Sequence, residues 1–357
     1  MKGRSLDMRV YKFCALALAA MLGWAGGARA DSSSAQAALR GPVSGYVLDA
    51  GSRAIRPVNG LLGAALLGTA LPLPFPVSAA AISSERDLAL VVSGSEDRGL
   101  YLVRGLGSAT PSVAPVPGAL PQVERIVFNA ADTAALAYSA RDRRLQMIRG
   151  LPDNAAANPA ADLSRMAGTV TALAVDAAGS TAVIATVEAA PAPRGRHSGR
   201  GALYWLRMSD PDSPPEPRLV SYFLAPSSLA LLNQDRDVMV ADAAASELAL
   251  VRGFAGQGEV LRWAGERDGV SGPAALNVSA DGRRLFVANA GDRSLVVFDL
   301  AAQSAEARLA LDAVPTRLER LPGRSTFLLN EAGGEPLLVL EAGQSPAVYF
   351  VPARQNE

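Results

Sequence analysis

The chain repeats itself. Residues 285–299 read as a strand (Leu-Phe-Val-Ala-Asn), a turn of small and polar residues (Ala-Gly-Asp-Arg) and a second strand (Ser-Leu-Val-Val-Phe-Asp). Looser copies recur, most closing on a short apolar strand and a charged residue. Those closing residues fall at 49, 104, 149, 207, 252, 299 and 341, at intervals of 42 to 58 residues. Most of these strands follow another strand across a turn rich in Gly, Asp, Arg and Ser, residue types that tolerate the positive φ a hairpin needs. A unit of this length cannot bury its apolar faces alone; it has to stack against its neighbours.

Strand, Asp/Gly turn, strand, turn, strand makes one antiparallel blade, and a period of about 40–50 residues is that of a four-stranded blade in a ring. No stretch beyond the first thirty residues carries a sustained helical period. The expected fold is therefore all-β, a β-propeller. Six copies are nearly complete. Residues 45–60 match only a third and a fourth strand, and the final strand, 347–351, is free to pair with them. An open ring would leave exposed edges, so seven blades are expected, the closing blade shared by the N- and C-terminal segments. Six blades with a stray N-terminal hairpin is the alternative. The expected single domain is 45–353, with 31–44 as a leading segment and 354–357 as a tail.

Residues 285–289, with Gly291-Asp292 and 296–299, resemble the YVTN-type propeller repeat and are similar to the wider lactonase-like and NHL-like propellers. The resemblance covers most of 81–345. It implies the fold, and it leaves function open, because propellers host enzymes, sugar binders and scaffolds alike. Lactonase-like members are enzymes, yet no residue here matches such a site one by one.

Residues 1–30 read as an export signal. Lys2, Arg4, Arg9 and Lys12 precede an apolar stretch, 13–24, and Ala28-Arg29-Ala30 places the cut before Asp31. An uncleaved anchor is the other reading, although the stretch is short for a bilayer. Removal leaves 29 basic residues, all arginine, against 33 acids, a net charge of about −4. That balance gives no reason to expect nucleic acid or an anionic membrane as partner. The single cysteine, Cys14, lies inside the signal, so the mature protein has no disulfide, thiol nucleophile or thiolate ligand. An exported monomer, periplasmic or extracellular and without cofactor or metal, is expected.

The clearest departure from the repeat is 189–201, which carries Arg194, Arg196, Arg200 and the only histidine, His197. Three guanidiniums on such a loop suit carboxylates or phosphates of a glycan or partner protein. A solvated surface loop is the plainer reading. His197 has no rigid neighbour in the sequence to orient it as a base. Residues 57–84 carry no charge, and Pro72, Pro74 and Pro76 break their apolar run. They read as a linker packed on the ring or as an outer strand; the sharper alternative is an apolar lid over a small ligand. Asn233, Asp235 and Asp237 alternate oxygen ligands, but they sit in a strand-joining turn and lack the glycine and distal glutamate of a calcium loop. No Gly-x-Ser-x-Gly elbow, His-Glu-x-x-His motif or phosphate loop is present. No catalytic residue is assigned. The expected function is a binding or scaffold propeller for a protein or glycan. The alternative is a lactonase-like or sugar-acid hydrolase or lyase using the central channel; a purely structural envelope protein is a third reading.

Overall fold

The computed structural model describes residues 41–188, 201–209, 215–323, 325–333 and 335–352. Seven antiparallel sheets follow one another along the chain. Blade 1 has three strands, β1 (Val43–Asp49), β2 (Ala54–Asn59) and β3 (Leu66–Leu67). Blade 2 holds β4 (Val77–Ile82), β5 (Leu88–Ser93), β6 (Leu100–Arg104) and β7 (Ser112–Pro115). Blade 3 holds β8 (Arg125–Phe128), β9 (Ala134–Ser139) and β10 (Arg144–Arg149), with an outer edge split into β11 (Ala156–Ala157) and β12 (Ala161–Asp162). Blade 4 holds β13 (Thr169–Val175), β14 (Thr181–Val187), β15 (Gly201–Arg207) and β16 (Arg218–Phe223). Blade 5 holds β17 (Pro226–Leu232), β18 (Asp237–Asp242), β19 (Glu247–Arg252) and β20 (Glu259–Ala264). Blade 6 holds β21 (Pro273–Val278), β22 (Arg284–Asn289), β23 (Ser294–Asp299) and β24 (Ser304–Ala310). Blade 7 holds β25 (Glu319–Arg320), β26 (Thr326–Leu328), β27 (Leu337–Glu341) and β28 (Ala347–Val351). The one helical element among the described residues is a 3-10 turn, Glu266–Asp268.

Seven apolar clusters hold the sheets together, one between each successive pair and one between blade 7 and blade 1. That pattern closes a ring, and the fold is a seven-bladed β-propeller. It also explains the composition. The middle strands are sandwiched between neighbouring blades and covered on both faces, so β5 and β9 are buried along their whole length. Strands covered on both sides lose the polar alternation and read as continuous Ala, Leu and Val. Contacts between β4 and β8, β8 and β13, β13 and β17, and β17 and β21 place the first strand of blades 2 to 6 innermost, around the axis, and hydrogen bonds from Asn277 to Leu318 O and from Arg320 to Val278 O set β25 of blade 7 beside them.

Five second strands end in a buried polar residue, Asp49, Ser93, Ser139, Asp242 and Asn289, and a buried Asn330 follows two residues after β26. Their side chains satisfy turn and connector amides. Asp242 accepts from the Leu224 and Ala225 amides at 2.7 and 2.9 Å, and Asn289 accepts from the Ser271 amide at 3.1 Å. A buried amide left unpaired would cost about 1–3 kcal/mol, so these positions are tied to Asp, Asn or Ser.

The blade count stands, but closure by a shared blade does not. Strand β28 pairs with β27 inside blade 7, while the N-terminal hairpin forms a blade of its own. Its strands take the second and third positions, not the third and fourth. The β1–β2 turn lies on the rim of the second-to-third hairpins: the Ala50 amide donates to Ala332 O at 3.1 Å, and the Arg53 guanidinium donates to Gly94 O at 3.0 Å. Arg53 has φ 51°, matching Arg293 at φ 53° in the equivalent turn of blade 6. Side chains close the ring: Val47, Val58 and Leu67 of blade 1 pack on Leu328, Leu337, Val339 and Val351 of blade 7. A single parallel bridge, Asp49 to Ala332, is the backbone pairing across the seam. Apolar burial at the seam makes a strand exchange unnecessary.

Candidate functional site

The innermost strands set what the channel wall can do. From blade 3 to blade 7 their polar side chains bond to the backbone of the following or preceding blade. The Arg125 guanidinium donates to Thr171 O. The Thr171 hydroxyl donates to Pro226 O at 2.6 Å, and the Ser227 hydroxyl to Pro273 O at 2.6 Å. Ser228 Oγ accepts from the Leu276 amide at 3.1 Å. The Asn277 side-chain amide donates to Leu318 O at 3.0 Å, and the Arg320 guanidinium reaches back to Val278 O at 2.5 Å. This belt satisfies the free edges of the inner strands and fixes their spacing.

The belt stops at blade 1, where no described strand fills the innermost position. Charged side chains of blade 7 gather there. Leu318 packs toward blade 6 and Leu321 toward blade 1, so alternation turns Arg317 and Glu319 to the blade 1 side. Arg317 Nη1 lies 3.0 Å from Glu319 Oε2, and its other terminal nitrogen pairs with Glu331. Burial pushes the Glu319 carboxyl above the usual glutamate range, and the Arg317 charge works against that rise. Solvent still reaches 36 % of the Glu319 side chain, so the group is enclosed by protein but wet. Burial likewise lowers the Arg320 pKa, opposed by the charges of Glu85 and Asp132. Asp132 belongs to the turn between β8 and β9. Burial raises its pKa, while the Ser83 hydroxyl, at 2.6 Å, and the Glu85 amide, at 3.0 Å, pull it down.

Glu319 and Asp132 both keep their protons to higher pH in the folded than in the unfolded chain. The folded state therefore binds more protons just above the ordinary carboxyl range, and stability falls as pH rises through that window. Glu319→Gln is expected to flatten this fall above the reference value of 4.5. Urea melts stepped upward in pH measure it; an unchanged slope would remove Glu319 as a source of the dependence.

No protein-family model matches the chain, and no curated protein matches it. Solved structures do. A functionally unknown protein from Desulfotomaculum acetoxidans DSM 771 superposes with a TM-score of 0.57 at 13% identity, over 87% of this chain and 99% of that one. A protein from Lactobacillus plantarum gives 0.59 at 13% identity, over 87% and 96%. The β-propeller domain of Myceliophteria thermophila Cps50 (Swd1) gives 0.54 at 10% identity, over 78% and 86%. The likeness is one of fold alone. It agrees with the propeller that the repeat implies and carries no ligand or reaction with it.

Arg194, Arg196, His197 and Arg200 lie outside the described residues. Their loop springs from Val187 and Gly201, which pair with each other across β14 and β15. Asn233, Asp235 and Asp237 form a turn. The Asn233 amide donates to Asp237 at 2.5 Å, while Asp235 and Asp237 accept from the Ala177 and Gly253 amides at 2.7 and 3.0 Å. The 57–84 stretch supplies β3 and β4 and a packed connection between them. Leu71, Leu73 and Phe75 of that connection rest on the blade 1–2 core, with the Phe75 ring 4.6 Å from Tyr101. A cleft of about 310 Å³ lies between them and the Ser52–Arg53 turn. Among the described residues no helix is long and apolar enough to cross a membrane. Sequence reasoning missed Arg317, Glu319 and Arg320. The available signal was three charges within four residues, Arg317-Leu-Glu-Arg320, where the inner strand of blade 2 reads Val-Ser-Ala-Ala-Ala-Ile.

Proposed function

We propose that this chain is an exported binding propeller, a rigid ring that offers its rims to a protein or glycan. The belt of inner-strand hydrogen bonds carries this reading. It commits Arg125, Thr171, Ser227, Ser228, Asn277 and Arg320 to neighbouring backbone. Groups so engaged serve rigidity, and recognition falls to the turns and loops displayed on the rims. The basic start and small-residue cut of residues 1–30 support export. Arg194, Arg196, His197 and Arg200 supply a cationic loop whose anchors belong to the second and third strands of blade 4.

Affinity capture from cell-envelope extract tests it, using residues 31–357 as bait beside the same bait lacking 190–200. A partner held only by the intact loop is expected. Equal capture by both baits would remove the loop, and empty baits would move weight to a small ligand or an enzyme.

One observation favours a second reading. Glu319, kept protonated to higher pH beside Arg317, has the character of a general acid, and a sugar-acid hydrolase or lyase would place such a group in its channel. Turnover of a lactone or uronoside, abolished by Glu319→Gln, would establish it in place of the binding reading.

A further inference from the structure

Between blades 5 and 6, on the rim of the first-to-second turns, lies a cleft of about 340 Å³. Small-molecule sites occupy roughly 300–1,000 Å³, so this one fits a ligand of about one sugar ring. Its floor is the open end of the blade 5–6 core, where Trp263 and Leu300 lie partly buried. A T-shaped contact with Phe298, ring centres 5.3 Å apart, fixes the indole. Gln234, Asp235, Arg252 and Gln303 complete the lining.

These polar groups are uncommitted. The side chains of Gln234, Arg252 and Gln303 and the Trp263 indole have no hydrogen-bond partner among the described residues. Asp235 uses one oxygen, accepting from the Ala177 amide at 2.7 Å. The contrast with the channel is direct, since there the comparable groups are engaged. The turn that brings Gln234 and Asp235 to the cleft is also held in an unusual shape. Asn233, Gln234 and Asp235 have φ of 51°, 57° and 64°, three successive non-glycine residues in the left-handed region. Backbone of this kind persists where the surroundings over-determine it, and it clusters at ligand clamps.

The lining chemistry selects among ligand classes. An apolar ligand would use the Trp263 and Leu300 floor alone and make nothing of the two carboxamides and two charged groups around it. A multiply charged anion asks for several cations, and here one arginine is balanced by one aspartate. A pyranose ring matches both parts. Its C–H face suits an indole and leucine floor. Its vicinal hydroxyls each donate and accept, as carboxamides do. We infer that the blade 5–6 cleft binds a hexopyranose unit, with Trp263 under the ring and Gln234, Gln303, Asp235 and Arg252 around its hydroxyls. This rests on the reading of the ring as a binding propeller and goes beyond it, adding a sugar site distinct from the blade 4 loop.

Calorimetric titration of the full chain with methyl hexopyranosides, and with oligosaccharides ending in them, tests the inference. At least one sugar is expected to saturate. The Gln234→Ala/Gln303→Ala double variant, altered at two exposed positions, is expected to weaken it tenfold or more. Trp263→Leu, which keeps an apolar floor, should do the same with its melting transition retained. Deleting 190–200 should change nothing. Equal affinity for the monosaccharide and the oligosaccharide would identify a free sugar as the source; tighter oligosaccharide binding would identify a glycan end. Sugar binding unchanged in both cleft variants overturns the inference, as does failure of every sugar to saturate. If the parent binds no sugar but the cleft variants still capture an envelope partner, the cleft fails and the binding reading survives.

Discussion

Phe327→Ala is expected to destabilise the ring by about 4 kcal/mol, within the range for removing a buried aromatic from a packed core. Phe327 has no exposed surface and fills the interface between blades 6 and 7, its ring 5.1 Å from Phe286. The Arg320 guanidinium lies over the ring, 5.5 Å from its centre. Truncation therefore opens a cavity and also removes the support that aims Arg320 at Val278 O. Urea unfolding measures the loss, and a change below about 1 kcal/mol would mean that the interface repacks around the cavity.

Asp49→Ala should cost about 3 kcal/mol, because it breaks a nearly buried ion pair at the ring's seam and strips a turn of its acceptor. Asp49 Oδ2 lies 3.0 Å from Arg56 Nη1 and accepts from the Ser52 hydroxyl at 2.7 Å, while Oδ1 accepts from the Gly51 amide at 3.0 Å. The two side chains are only 10 % and 16 % exposed, so removing the carboxylate strands the Arg56 charge in protein. Burial works to raise the Asp49 pKa, but Ser52, Arg56 and the turn amides together hold it below the ordinary 3.8. The stability it contributes is thus present above that value and is lost as pH falls through the depressed one. Asp49→Ala should show a flatter acid limb as well as a lower plateau. This slope is opposite in sign to that of Glu319, so stability profiles of the two variants separate the seam from the channel.

The repeat made the blades readable because strands covered on both faces must be apolar throughout, and runs such as Leu88–Ser93 and Asp237–Asp242 are set apart by turns of fixed chemistry. Blade 1 was harder. Gly45-Tyr-Val-Leu-Asp49 looks like a third strand closing on a charge, and only the turn after it, Ala-Gly-Ser-Arg53, betrays the second position by matching Ala-Gly-Asp-Arg293. The seam partners lie at opposite ends of the sequence, so no local pattern reports that packed side chains and a single backbone bridge close it. The channel cluster left a faint trace, in Arg317-Leu-Glu-Arg320. The blade 5–6 cleft left none: its lining comes from separate segments between Leu231 and Gln303, each reading as an ordinary turn or strand end.

Saturation-transfer NMR of the full chain with a mixed panel of lactones, uronosides and oligosaccharides separates sugar binding on the rim from chemistry in the channel, because one spectrum reports both contact and turnover. Saccharide resonances that take up saturation while every substrate spectrum stays unchanged over hours are the predicted result. Product resonances that grow with the parent protein and vanish with Glu319→Gln would contradict it and make the channel, not the rim, the working site.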